Sequence, residues 1–242
     1  CHESSTTNGV HADLNKLLEV IDKLPAGVEL AIGGGNPLSH PTLVEFLQTL
    51  KSRGIIANLT VNQGHLKTYQ DMITYLIKDE LVKGVGISIT SNNFNYIKPL
   101  LEITDNIVYH LIAGVNKVEI VEKLIELGKC KVLVLGYKLF GFGVKFHNKE
   151  VDVELKNWYK KLPNLLDRCT LSFDNLAIEQ LKVKRLFTND GWSKFYMGDD
   201  FCFTMYIDAV KQEYAPTSRS SNRKSFNDCS LLHYFIEGRK KN

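Results

Sequence analysis

The chain has 242 residues, of which 44% are hydrophobic and 24% charged, with a formal net charge of +3. This is the mixture of an ordinary globular chain, long enough to bury a core without disulfide staples and too nearly neutral to point to nucleic acid. No apolar run approaches the roughly 20 residues that span a bilayer, and the polar start Cys1-His2-Glu3-Ser4-Ser5 is not a signal peptide.

Taken in chain order, the elements alternate. Leu14, Leu17, Leu18, Ile21 and Leu24 recur at helical spacing over 13–24, and Pro25-Ala26-Gly27 stops that helix. Residues 28–32 read as a short strand ended by Gly33-Gly34-Gly35. Pro41 opens a second helix with Leu43, Phe46, Leu47 and Leu50 on one face, closed by Gly54. Strands are then predicted at 55–61, 84–90, 107–112, 130–135 and 169–173, and helices at 69–77, 96–103, 118–127, 153–162 and 178–186.

Strand–helix alternation of this kind means parallel strands joined by crossover helices. Continuously apolar strands such as 132–135 suggest burial on both faces. The choice lies between a closed or partial barrel and an open doubly wound sheet. No Gly-x-Gly-x-x-Gly turn with a following acidic ribose ligand supports a dinucleotide fold. The last residues differ: 201–210 is rich in aromatic and β-branched residues, 211–214 can pair with it, and 231–236 is a short closing helix. The division expected is a partial (βα)6-type TIM-like barrel over 1–190 with a C-terminal β-hairpin and helix over 191–242.

The most informative stretch is 30–62. A glycine run at the end of a parallel strand lets a ligand approach the backbone, at the rim where parallel α/β folds bind. Asn62, ending the next strand, lies at the same rim as Gly34 and Asn36. The plainer alternative is a capping turn with glycines for tight packing.

Gly34-Gly35-Asn36-Pro37-Leu38, followed by His40-Pro41-x-Leu43, resembles the Gly-Gly-Glu-Pro-Leu…His-Pro-Asp-Leu motif of the radical S-adenosylmethionine (SAM) superfamily. There the segment ends the second barrel strand and contacts the amino group of the SAM methionine. Residues 59–63 are similar to the segment ending the third strand, with Asn62 at the turn. Residues 85–89 resemble the fourth strand, whose serine, here Ser88, lies near the SAM ribose or carboxylate. Residues 110–116 are similar to the fifth strand, where an apolar residue (Ile112) and a turn asparagine (Asn116) border the adenine. Gly136 ends the following strand and can admit adenine or substrate, with Tyr137, Lys138 and Asp174 nearby. Asn36 stands where the family has glutamate, and Gln63 where it has glycine.

The resemblance, which covers most of 1–136, assigns Cys1 to the third position of the Cys-x-x-x-Cys-x-x-Cys motif that ligates a 4Fe–4S cluster. The first two cysteines would precede Cys1, making the sequence that of an N-terminally shortened enzyme, inactive as it stands. The implied activity is reductive cleavage of SAM to a 5′-deoxyadenosyl radical that abstracts hydrogen from an unknown substrate. The implied partners are a small-molecule or peptide substrate and an electron donor such as a flavodoxin or ferredoxin.

The five cysteines, Cys1, Cys130, Cys169, Cys202 and Cys229, are odd in number and widely spaced, which argues for a reducing, cytoplasmic setting. Residues 194–208 resemble the hairpin appendage of peptide-modifying radical SAM enzymes. With only Cys202 and Cys229 in this region, no auxiliary cluster is expected there. Asp199-Asp200 reads as a turn, Arg219 and Arg223 as part of a polar loop, and His110 as a satisfied core histidine. Two rival functions remain: a phosphate-binding barrel aldolase or hydrolase using Lys138, and a degenerate barrel that binds without catalysis.

Overall fold

The computed structural model describes residues 8–239. Asp13 caps α1 (Leu14–Ile21) by accepting from the Asn15 and Lys16 amides at 3.0 and 3.2 Å. This is the side-chain capture of orphan N–H groups that fixes helix starts. There follow β1 (Glu29–Ile32), α2 (Leu43–Ser52), β2 (Ile56–Asn62), α3 (Leu66–Lys78), β3 (Gly84–Ser88), α4 (Lys98–Leu101), β4 (Ile107–Ile112), α5 (Ile120–Ile125) and β5 (Lys131–Leu135). Then come α6 (Phe142–Phe146), α7 (Lys149–Lys161), β6 (Thr170–Phe173), α8 (Asn175–Gln180) and α9 (Asn189–Phe195).

The six strands form one parallel sheet in the order β1-β2-β3-β4-β5-β6. That order decides the question left open by the periodicity. A doubly wound sheet reverses direction at a switch point, whereas strands laid down in sequence order curl toward a barrel. Among the described residues β1 and β6 are the unpaired edges, so this is a partial TIM-like barrel.

Burial alternates along β2, β4 and β5, contrary to the expectation of burial on both faces, whereas β3 is buried continuously from Gly84 to Ile87. Leu59, Val61, Val85, Ile87, Tyr109, Leu111, Val132 and Val134 are buried against the helices. Their neighbours Thr60, Asn62, Ser88, His110 and Leu133 turn to the concave side and are half-buried. The cause is geometric: an incomplete barrel covers its outer face with helices and leaves its inner face open to solvent.

α3 and α7 start a turn earlier than predicted, the latter because Asn148 caps it through the Glu150 and Val151 amides. Polar first turns hide helix starts from a periodicity search. α6 and α9 were not predicted; each is short and contains glycine. The C-terminal region holds the expected antiparallel pair, β7 (Tyr206–Asp208) and β8 (Glu213–Ala215), extended to a three-stranded sheet by β9 (Lys224–Ser225). Phe201 to Met205 lie outside it, and Phe201 packs against the rings of Tyr234 and Phe235 of α10 (Leu231–Arg239) at 5.3 and 5.7 Å. Among the described residues no helix is long and apolar enough to cross a membrane.

Candidate functional site

The candidate site is the rim formed by the C-terminal ends of the strands. After β1 the chain passes through Gly33, Gly34 and Gly35, all exposed. Gly34 has φ +130°, which only glycine adopts without strain. Asn36 is extended, and Pro37 opens a single 3-10 turn, Pro37–Ser39, whose Leu38 is buried. The Asn36 carbonyl is used locally, accepting from the Ser39 amide and hydroxyl at 3.2 and 2.8 Å. Its side-chain Oδ1, by contrast, is buried with no hydrogen-bond partner among the described residues. Buried polar atoms are nearly always satisfied, so this acceptor, beside three exposed glycines, suits a donor from a ligand.

The histidine of the same motif has a role that spacing did not suggest. The Thr42 amide donates to His40 Nδ1 at 3.3 Å, so Nε2 carries the proton and donates to the Ala12 carbonyl at 2.9 Å. His40 thereby ties the segment before α1 to the glycine loop.

Asn62 and Ser88 are register partners at the ends of β2 and β3, and Ser88 is in turn the partner of His110 on β4. These three side chains form one row across the concave face. Asn62 Oδ1 accepts from the Gly64 amide at 2.8 Å. Gln63, which stands where the resemblance has glycine, is the buried polar residue of the rim. Its Oε1 accepts from the Thr90 and Ser91 amides at 2.9 Å, and its Nε2 donates to the Asn93 carbonyl at 2.6 Å. It clamps the loop after β3, and sequence reasoning passed over it because its partners lie about thirty positions away.

His110 lies over Gly86: a Cβ added there would be 2.6 Å from the imidazole. Among the described residues its ring makes no hydrogen bond, which corrects the expectation of a satisfied core histidine. Burial lowers its pKa to about 4, so the ring is neutral near pH 7. Stability that rests on this neutral ring is complete above pH 6.5 and is lost as pH falls toward 4, because the unfolded chain takes up the proton first. In an NMR titration the His110 ring signals are expected to move with a midpoint near 4; a midpoint near 6.5 would place the ring in water.

Ile112 ends β4, and its amide donates to Asn116 Oδ1 at 2.7 Å. Asn116 Nδ2 reaches the Ile89 carbonyl at 2.9 Å, so this side chain staples the ends of β3 and β4 together. At the end of β5, the Gly136 amide donates to Asp174 Oδ1 at 2.9 Å, and the same oxygen caps α8 through the Ala177 amide at 2.7 Å. Tyr137 is buried, and its backbone exchanges two hydrogen bonds with Gln180. Its hydroxyl donates to the Gly143 carbonyl at 2.7 Å, so its polar group is spent within the loop after β5. Lys138, half-buried, follows in the turn.

The structure thus gathers Gly34, Gly35, Asn36, Asn62 and Ser88 on neighbouring strand ends, with His110 added. Asn116, Gly136 and Asp174 spend their polar groups within the protein. Cys1 lies outside the described residues. Among the described residues no group of three His, Cys, Asp or Glu is placed to hold a metal. Cys130 and Cys169 precede β5 and β6, at the end of the sheet opposite the rim, and Cys202 and Cys229 belong to the C-terminal region. The described residues therefore offer an unpartnered acceptor at the rim but no ligand set for a 4Fe–4S cluster.

Neither a family model nor a curated protein matches the sequence. Solved structures do. SuiB of Streptococcus suis bound to the precursor peptide SuiA superposes with a TM-score of 0.70 at 14% identity, covering 97% of this chain and 60% of SuiB. The chain shares the fold of SuiB. SuiB bound to S-adenosylmethionine gives a TM-score of 0.64 over the same shares of the two chains, and a further SuiB structure gives 0.59. The chain spans about 60% of the length of SuiB, and at this identity the likeness speaks for the fold alone.

Proposed function

We propose that this chain is the SAM-binding barrel of a radical SAM enzyme whose substrate is a peptide. The observation that carries the proposal is the unpartnered, buried Oδ1 of Asn36 beside the glycine rim, in a fold shared with a protein crystallised with SAM and with a peptide. In this reading Asn36 accepts a hydrogen bond from the SAM ammonium while Gly34 and Gly35 let the methionine approach the backbone. Asn62 and Ser88 face the ribose and carboxylate, Ile112 lies beside the adenine, and Asn116 and Gly136 hold the strand ends in register beneath it. The remaining expectations belong to the same proposal: Cys1 as one cluster ligand, a flavodoxin or ferredoxin as electron donor, a cytoplasmic setting, and the division into 1–190 and 191–242. A 4Fe–4S cluster, with Cys1 as one ligand, would supply the electron for cleaving SAM, while the chain's own residues would orient the nucleoside and shield it from water.

Two measurements test this. SAM binding by calorimetry should weaken about tenfold in Asn36→Ala and strengthen in Asn36→Glu, which adds a charge-assisted hydrogen bond to the ammonium. Equal affinity in all three proteins would remove Asn36 from the site. The full reading frame, reconstituted anaerobically with iron and sulfide and reduced, should produce 5′-deoxyadenosine from SAM, and Cys1→Ala should abolish it. A folded protein that binds SAM but no iron would favour the degenerate binding barrel.

A further inference from the structure

Cys130 and Cys169 are neighbours at the end of the sheet opposite the rim. Lys131 and Thr170 are register partners, and the Thr170 amide donates to the Cys130 carbonyl at 2.9 Å. The two cysteines each stand one residue earlier, on the helix-facing side, just before the ladder begins. Paired parallel strands run about 5 Å apart, inside the roughly 4.4–6.8 Å Cα separation that a disulfide accepts. Because both residues lie before the first ladder pair, the backbone there can adjust to the bond. Cys169 Sγ donates to the Leu165 carbonyl at 3.6 Å, and the nearness of the Cys130 thiol lowers the pKa of Cys169 while Cys169 and burial raise that of Cys130. The Arg168 guanidinium, paired with Glu122, adds to the lowering at Cys169. Cys130 is buried in the core, whereas Cys169 is half-exposed.

We infer that Cys130 and Cys169 form a redox-active dithiol that closes to an intramolecular disulfide on exposure to a small disulfide oxidant. The asymmetry in burial assigns the roles. The Cys169 thiolate attacks a sulfur of the oxidant RSSR, forming the mixed disulfide and releasing RS⁻. Cys130 then gives its proton to solvent and displaces the second RS⁻ from Cys169 Sγ. In sum, two protein thiols lose two electrons and two protons, and one RSSR becomes two RSH. Once Cys169 is consumed, the thiolate that held the Cys130 proton is gone, so the second step is easier than the resting pair implies. The product staples the entry of β5 to that of β6 and closes a loop through α7.

The test uses the whole chain with Cys1→Ser, Cys202→Ser and Cys229→Ser, so that none of these can exchange into the pair. After incubation with oxidised glutathione and alkylation, peptide mass mapping should find the peptides bearing Cys130 and Cys169 joined, with the protein about 2 Da lighter. Cys130→Ser should instead accumulate a glutathione adduct on Cys169, and Cys169→Ser should leave Cys130 mostly unmodified. The oxidised protein should melt several degrees higher, and dithiothreitol should reverse the shift. Full alkylation of both thiols after oxidation, or stable glutathione adducts on both, would overturn the proposal. A faster reaction of Cys130 than of Cys169 would overturn the assignment of roles.

Discussion

Trp158→Ala is expected to lower the unfolding free energy by about 3–5 kcal/mol, the cost of emptying a large aromatic site in a packed core. Trp158 is fully buried in α7, and its indole N–H donates to the Asn116 carbonyl at 2.8 Å. It is one of several contacts by which α7 holds the turn after β4. Glu154 accepts from the Val118 amide at 2.8 Å. Gly114, at φ +91°, lies so close to α7 that a Cβ there would be 2.9 Å from Val151 Cγ1. Truncating the indole removes the packing and also leaves a buried carbonyl without its donor. Trp158→Phe separates the two: it keeps most of the packing, and its loss should be only about 1–3 kcal/mol, the desolvated carbonyl. Urea unfolding monitored by circular dichroism measures both, with a lower midpoint and an unchanged slope expected. A loss below about 1 kcal/mol for Trp158→Ala would mean that the core closes over the site and that α7 is not what fixes this turn.

The Trp158–Asn116 contact also shows what a sequence can and cannot carry about such a site. The strands were legible because short runs such as 132–135 and 107–112 are apolar, β-branched and bounded by glycine or polar turns. Their sequential order, which makes the sheet a partial barrel, was not legible from periodicity; it was expected only because the glycine motif, Asn62 and Ser88 followed one another as in a known family. Asn116 was assigned to the adenine by that resemblance. Its hydrogen bond to the Ile89 carbonyl at the end of β3, and the indole beneath it, depend on residues 27 and 42 positions away. A bond of that kind leaves no local pattern. The same holds for Gln63, which looked like a departure from a turn glycine and is a three-bond clamp. His110 illustrates the converse: its position on a strand was clear, but whether it faced helices or the concave side depended on a register that one residue of slip would have reversed.

Gly136 joins both halves of the argument, because sequence reasoning and structure give it different reasons to be glycine. The resemblance makes it a point of close approach for adenine or substrate. The structure puts the first turn of α8 against it: a Cβ would lie 2.5 Å from Leu176 Cγ and 2.7 Å from the Leu176 carbonyl carbon and the Ala177 nitrogen. Two of these three atoms are backbone, fixed by the Asp174 cap and by the Tyr137–Gln180 hydrogen bonds, so rotamer changes cannot make room. Gly136→Ala is therefore expected to cost about 3 kcal/mol, the upper part of the usual range for overpacking, and to lower Tm by about 6–12 °C. Asp174→Ala, which removes the cap and the partner of the Gly136 amide, should cost less, about 1–2 kcal/mol. The pairing with Leu176→Ala is diagnostic. It clears the 2.5 Å contact but not the two backbone contacts, so it should relieve only part of the cost of Gly136→Ala. Full relief would place the strain in the Leu176 side chain alone. A Gly136→Ala protein that melts like the parent yet binds SAM more weakly would return this glycine to the ligand and take it away from α8.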